Sequence, residues 1–427
     1  MAEQKTVKEA ERAVVIGGGA AGMFTALHLA RRGFEVVLLE HNEKLGKKLF
    51  ITGKGRCNFT NDCDRDTFFS SVISNPRFLY GAYSRFTAQD AILFFENADL
   101  DVKRERGGRM FPASDHAYDV IDALKREMKR AGVRVHLHAH AEEILTNEGR
   151  AVGVCYTVHG GAERRSTERK YLDAERIVVA TGGMSYPSTG STGDGYAMSA
   201  RLGHGIVPPR PSLVPLLCTE TDTAALKGLS LRNVSLRLYT EERLLFEDFG
   251  EMLFTGDGIS GPLVLSASAY LKDAVFDNGK TYVLIDLKSA IPEEELDARL
   301  VRLLSATQAK TVRNALRELL PASLFDPVFR RAGVDPDKKA GMVSAEDRHA
   351  ILRTLKGFRI AVSGRGSFAQ AVITQGGVDV RGVDPKTMES RIVKGLYFAG
   401  EVLDLDAKTG GFNLQIAWST AYTAAQA

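Results

Sequence analysis

The stretch Ala13-Val14-Val15-Ile16-Gly17-Gly18-Gly19-Ala20-Ala21-Gly22 decides the fold. Four apolar, mostly β-branched residues run into a glycine-rich bend, and the helical pattern Met23 to Arg32 follows, so the segment reads strand, tight turn, helix. Gly17 permits the turn, Gly19 removes the Cβ that would block a diphosphate, and Gly22 lets the helix lie close on the strand. The start of such a helix presents unpaired N–H groups and positive dipole to phosphate oxygens. A second strand, Glu35-Val36-Val37-Leu38-Leu39, ends at Glu40. That acid lies about 20 residues beyond the bend, where a carboxylate accepts hydrogen bonds from an adenosine ribose and repels a 2′-phosphate. Strand, bend, helix and terminal acid together predict a dinucleotide-binding βαβ unit.

Which dinucleotide is bound depends on segments far downstream. Arg176-Ile177-Val178-Val179-Ala180-Thr181-Gly182-Gly183 is a buried-strand pattern ending in Thr-Gly, as in many flavoproteins of this fold. Leu396-Tyr397-Phe398-Ala399-Gly400-Glu401 is another, with an acid placed to bind a ribityl chain. Gly410-Gly411-Phe412-Asn413-Leu414-Gln415-Ile416 opens a last helix, Ala417 to Ala425, whose first amides would stabilise negative charge on the pyrimidine ring of a reduced flavin. Their order along the chain predicts FAD. No second G-x-G-x-x-G follows a strand, so NADH or NADPH is expected only as a transient electron donor.

The 427 residues exceed one ordinary core, and 44% apolar with 26% charged residues suit a globular protein. With 56 Lys plus Arg against 53 Asp plus Glu, the net charge of +3 exerts no global pull toward nucleic acid or membrane. Met1 to Arg12 is polar and lacks a signal-peptide core, no apolar run approaches the roughly 20 residues that span a bilayer, and Cys57, Cys63, Cys155 and Cys218 form no C-x-x-C pair. A cytoplasmic protein with reduced thiols is expected, with no membrane partner and with its oligomeric state left open.

Helices are expected near Phe78 to Asn97 and Ala117 to Ala131, with strands at Val133 to His140 and Ala151 to Val158. The proline cluster Pro208-Pro209-Arg210-Pro211, with Pro215, suggests a boundary, since proline disfavours helix and central strand. The expected organisation is therefore an α/β protein. A discontinuous Rossmann-like FAD-binding domain (1–207 and 365–427) carries an inserted β-barrel or sheet plus helical domain (208–364). In the insert, Val234 to Tyr239, Arg243 to Phe249 and Tyr282 to Leu287 read as strands. Pro292 to Leu304, Lys310 to Leu319 and Ser344 to Leu355 read as helices.

Gly46-Lys47-Lys48-Leu49-Phe50-Ile51-Thr52-Gly53-Lys54-Gly55-Arg56-Cys57-Asn58-Phe59-Thr60-Asn61 resembles the signature of the BaiN/RdsA family of flavoproteins. The resemblance continues through Tyr186 to Gly195, Leu253 to Pro262 and the C-terminal Gly-Glu and Asn-Leu-Gln segments, nearly the whole chain. It implies that FAD is held by Gly17, Gly19, Ala20, Ala21, Gly22, Glu40, Lys48, Thr52, Gly53, Arg56, Asn58, Ala141, Thr181, Gly182, Gly400, Glu401, Asn413, Leu414, Gln415 and Ile416. Phe412 departs from the small residue many flavoproteins place there, which puts close backbone approach at that point in question.

A flavin performs hydride transfer itself, so the protein supplies placement, charge and exclusion of water. Tyr186 is the candidate proton donor. Cys57 is either a flavin-proximal thiol or a buried small hydrophobe, and Phe254 to Gly258 is either a cover for the flavin or a turn. His136, His138 and His140 alternate as if along one strand face, yet no Cys or carboxylate completes a metal set, so no metal is expected. The leading reading is hydride transfer from reduced FAD to an activated C=C bond of a small or polycyclic substrate. The family resemblance supports a second, a flavin-dependent ribosomal RNA dihydrouridine synthase, with Lys103, Arg104, Arg106, Arg109, Arg164 and Arg165 as its phosphate-binding surface. A non-enzymatic flavin-binding redox module and an amine oxidase are the remaining alternatives.

Overall fold

In the computed structural model, which describes residues 10–158, 169–219, 221–272 and 276–427, the chain divides into two compact units. One comprises 1–212 and 368–427, the other 213–367.

The first unit is built on β1 (Arg12–Ile16), α1 (Ala20–Arg31) and β2 (Glu35–Leu39). A five-stranded sheet runs in the order Leu396–Phe398, Arg176–Val179, β1, β2, Arg134–His136, and every pairing is parallel. Both faces of a parallel sheet are covered, which is why its central strands are continuous apolar runs: Val14, Val15, Ile177 and Val178 are all buried. α1 packs on the last helix, Phe412–Gln426, and Phe24 meets Trp418 with ring centroids 5.3 Å apart. Each such buried aromatic contributes about 1.5–3 kcal/mol of transfer free energy. Arg176 donates to the carbonyls of Ala424 and Ala427, and Arg32 to those of Ala425 and Ala427, so two guanidiniums close the C-terminal end of that helix.

Several expected elements are cut differently. Phe78 to Asn97 contains two helices of the α type, Tyr80–Arg85 and Ala88–Asn97, because Thr87 starts the second with a capping box: its hydroxyl accepts from Asp90 N while Asp90 accepts from Thr87 N. The helix Ala117–Arg130 and the strand Arg150–Val158 lie where the pattern put them. Val133 to His140 is not one strand. It breaks at a turn in which His138 has φ of 55°, separating Arg134–His136 from Ala139–Asn147, so the three histidines do not share a strand face. The proline cluster is itself a strand, Ile206–Ser212, paired antiparallel with Ile373–Val378. Pro208 and Pro209 sit in its register shift, where the ladder needs no N–H, and the strand belongs to the first unit.

The second unit is a closed six-stranded barrel, ordered Leu216–Cys218, Gly258–Ser260, Arg243–Phe254, Ser230–Thr240, Thr281–Asp286, Phe358–Arg365. Helices Glu293–Ala306 and Ala345–Lys356 follow the sequence pattern, whereas Lys310 to Leu319 holds only the short helix Val312–Ala315, begun by Thr311 as its cap. Thr255 N donates to Gly258 O and the Thr255 hydroxyl to Asp257, so Phe254 to Gly258 is a turn.

Gly22 carries the tightest packing at the bend: a Cβ there would stand 1.8 Å from the carbonyl oxygen of Gly17. Gly22→Ala should therefore cost about 3 kcal/mol, as overpacked cores do. Thermal unfolding of the flavin-free protein checks this, and an unchanged midpoint would contradict the packing described.

Candidate cofactor site

The bend after β1 opens a cavity whose walls come from both ends of the first unit. Gly17 turns with φ of 105°, and a Cβ on it would lie 2.5 Å from Ala180 O, so the two strand ends approach as only glycine allows. A Cβ on Gly19 would meet nothing within 4 Å, which leaves the space before α1 clear. No side chain caps α1, and its first amides remain available to an anion.

Glu40, buried at the end of β2, does more than line this space. Its Oε2 accepts from Gly18 N at 2.7 Å, while Oε1 accepts from the Asn42 backbone N at 2.8 Å and from Asn42 Nδ2 at 2.7 Å. Asn42 also donates to Thr189 O (3.1 Å), binding the loop that begins at Tyr186 to the same corner. Each carboxylate oxygen has two lone-pair directions, so acceptor capacity remains for a sugar hydroxyl.

A second polar cluster stands on another wall. Lys48 Nζ lies 2.9 and 2.6 Å from the two carboxylate oxygens of Glu401, and Ser185 Oγ donates to Glu401 Oε1 at 2.6 Å. Thr374 N donates to the same oxygen at 2.9 Å, and the Thr374 hydroxyl accepts from the amides of Met184 and Ser185. Thr181 Oγ1 is buried at the cavity with no protein partner. A buried hydroxyl of this kind is satisfied by a bound polar group.

Of the residues singled out from the sequence, Gly17, Gly19, Ala20, Ala21, Glu40, Lys48, Thr52, Ala141, Thr181, Gly182, Glu401, Asn413, Leu414 and Ile416 line the cavity. Gly22, Gly53, Arg56, Asn58, Gly400, Gln415 and Tyr186 do not. Gly22 and Gly400 serve close packing, the latter against Ala21, where a Cβ would come to 2.7 Å. Gln415 is buried and bonded to Thr60, Ser419 and Phe86 O. Asn413 lines the cavity, but its amide is bonded to Ala407 N and O. Phe412 is buried in the core of the first unit.

Arg56 is committed elsewhere: its guanidinium lies 4.2 Å over the Phe111 ring and pairs with Glu105 and Asp115. The hydrogen bond from Arg56 holds the Glu105 carboxyl below its ordinary range. Cys57 is fully buried, and burial pushes its thiol well above the usual range, so it is an inert core residue. Tyr186 stands in left-handed backbone (φ of 50°) and anchors its loop by donating to Phe368 O. The sequence reading missed Ser185 and Thr374, which no local motif announces, and Asn42, whose signal was its place two residues after the acid that ends β2.

The Lys48–Glu401 pair is only 22% and 14% exposed at its side chains. Removing one member of such a pair strands the other charge, at about 3 kcal/mol or more, whereas removing both is far milder. In thermal unfolding of flavin-free protein, Lys48→Met should lower the midpoint more than the double variant Lys48→Met, Glu401→Leu. Additive losses would contradict the coupling.

The family described as HI0933-like protein Rossmann domain matches residues 11–427. The chain is 31% identical over 414 residues to the ribosomal RNA dihydrouridine synthase of Escherichia coli (strain K12), covering 97% of each. It is 31% identical over 416 residues to the enzyme of that name from Haemophilus influenzae, covering 96% of this chain and 97% of that one. It is 29% identical over 416 residues to the 3-dehydro-bile acid delta(4,6)-reductase of Clostridium scindens, covering 97% of this chain and 98% of that one. Glycine bend, terminal acid and whole-length similarity agree: the chain belongs to the HI0933-like Rossmann family and is an FAD-dependent oxidoreductase.

Proposed function

We propose that this enzyme reduces an activated C=C bond, conjugated to a carbonyl, in a small or polycyclic substrate, with NADH or NADPH as the transient electron donor. Bound FAD supplies the hydride-transfer chemistry. The chain's own residues hold it: amides at Gly19, Ala20 and Ala21 face the diphosphate, Glu40 takes the adenosine ribose, and the Lys48–Glu401 cluster takes the ribityl chain. The uncapped start of the last helix, whose first turn brings Asn413 and Leu414 to the cavity, would stabilise charge on the pyrimidine ring. Thr181 offers a buried hydroxyl for the same ligand.

The observation that carries the choice of a small substrate concerns the basic cluster. Lys103 pairs with Asp115, Arg104 with Asp62, and Arg109 with Glu105, so three cations of the expected phosphate-binding surface hold carboxylate partners, two of which they share with Arg56. Arg164 and Arg165 lie outside the described residues. A ribonucleic acid substrate would have to compete with those carboxylates for the same cations. The relatives named above divide between the two substrate classes, and both names denote saturation of a double bond.

Anaerobic reduction of the purified protein with NADPH or NADH, followed by mixing with steroidal or smaller enones, tests this directly. The oxidised flavin band should return within seconds with a good enone and remain absent with buffer. Reoxidation by uridine-containing ribosomal RNA alone, with loss of a ribosomal dihydrouridine in a deletion strain, would transfer the assignment to RNA. Bleaching by an amine without oxygen would replace it with amine oxidation.

A further inference from the structure

At the Glu40 corner of the cavity three segments that are distant in sequence bring together two imidazoles and a carboxylate. His41 follows β2, His140 lies in the strand Ala139–Asn147, and Asp194 is the first residue of the helix Asp194–Arg201. All three line the cavity. Asp194 Oδ2 lies 4.0 Å from His41 Nδ1 and 3.7 Å from His140 Nδ1, and one ligand atom from each residue falls within 4.8 Å of the others. The two rings are nearly parallel, with centroids 6.0 Å apart.

We infer that His41, His140 and Asp194 form a binding site for a borderline divalent transition metal of the Zn²⁺ class. Two neutral imidazoles with one carboxylate suit Zn²⁺ and its neighbours, whereas Ca²⁺ and Mg²⁺ demand mostly oxygen ligands. Tetrahedral Zn²⁺, with bonds of about 2.0–2.2 Å, places its ligand atoms roughly 3.3 Å apart, so atoms that now lie within 4.8 Å of one another must draw together by side-chain rotation to close the set. The orientation of His41 also fits. Its Nδ1 faces Asp194 while its Nε2 points toward Glu40 Oε1, 3.9 Å away, and metal-bound histidines usually direct the second ring nitrogen to a carboxylate. Side-chain exposures of 26%, 35% and 37% leave the site reachable from solvent. Three protein ligands leave the fourth position to water. A cation there cross-links three segments of the cavity wall, so it stabilises the folded chain.

The inference does not depend on the reaction proposed above. Equilibrium dialysis of the flavin-loaded protein against Zn²⁺ alone, with metal and protein quantified, should give one bound equivalent per chain. Asp194→Asn and His140→Gln should each weaken that binding at least tenfold, with the flavin content of each variant measured alongside. Zn²⁺ should raise the thermal midpoint of the unaltered protein and leave that of the Asp194→Asn, His140→Gln double variant unmoved. No bound zinc, or one equivalent retained by the double variant, would overturn the site.

Discussion

The hydrogen bond from Gly18 N to the Glu40 carboxylate is the constraint on which the rest of the cofactor site depends. It ties the bend after β1 to the end of β2, so the acid proposed to take a ribose also sets the direction of the amides proposed to take a diphosphate. A charged acceptor makes this bond stronger than one between neutral groups. The corner is then fastened to the loop after the strand Arg176–Val179, since Asn42 bonds both Glu40 and Thr189 O. One carboxylate organises three segments of chain.

The parallel sheet explains why the remaining walls come from so far away. Its strand order brings Arg176–Val179 and Leu396–Phe398 beside β1, and the C-terminal ends of those strands deliver Thr181 and Glu401 to the same edge. Ligands in such folds bind outside the carboxyl ends of the strands. The interval between the two visits is occupied by a barrel with a core of its own. The Lys48–Glu401 pair joins the first and last parts of the unit across 353 positions of sequence, and its Ser185 and Thr374 partners satisfy the carboxylate that burial would otherwise penalise.

The βαβ unit was legible because each of its signals is local: a β-branched run, glycines at fixed offsets, an acid at the end of a strand. The barrel was legible from alternating strands, and the family from a dense motif. What escaped reading depends on tertiary partners. Nothing near Arg56 in sequence shows that Phe111, Glu105 and Asp115 will consume its guanidinium, and nothing near Gln415 shows that its amide serves Thr60 and Phe86. Proline in Ile206–Ser212 masked a strand, which a two-stranded ribbon with a bulge accommodates. The histidines illustrate the same limit from the other side, since the alternating pattern His136, His138, His140 is broken by a turn, while His140 finds His41 and Asp194 across the fold.

We propose that the Glu40 corner holds the adenosine half of the cofactor and the Lys48–Glu401 wall the flavin half. Titration of the flavin-free protein with FAD and, separately, with FMN measures the first part directly. FAD should bind at least a hundredfold more tightly, because FMN has no adenosine to engage Glu40 and Ala141, and that ratio corresponds to about 2.7 kcal/mol, within reach of two charge-assisted hydrogen bonds. Equal affinity for the two nucleotides would show that the Glu40 corner does not hold adenosine.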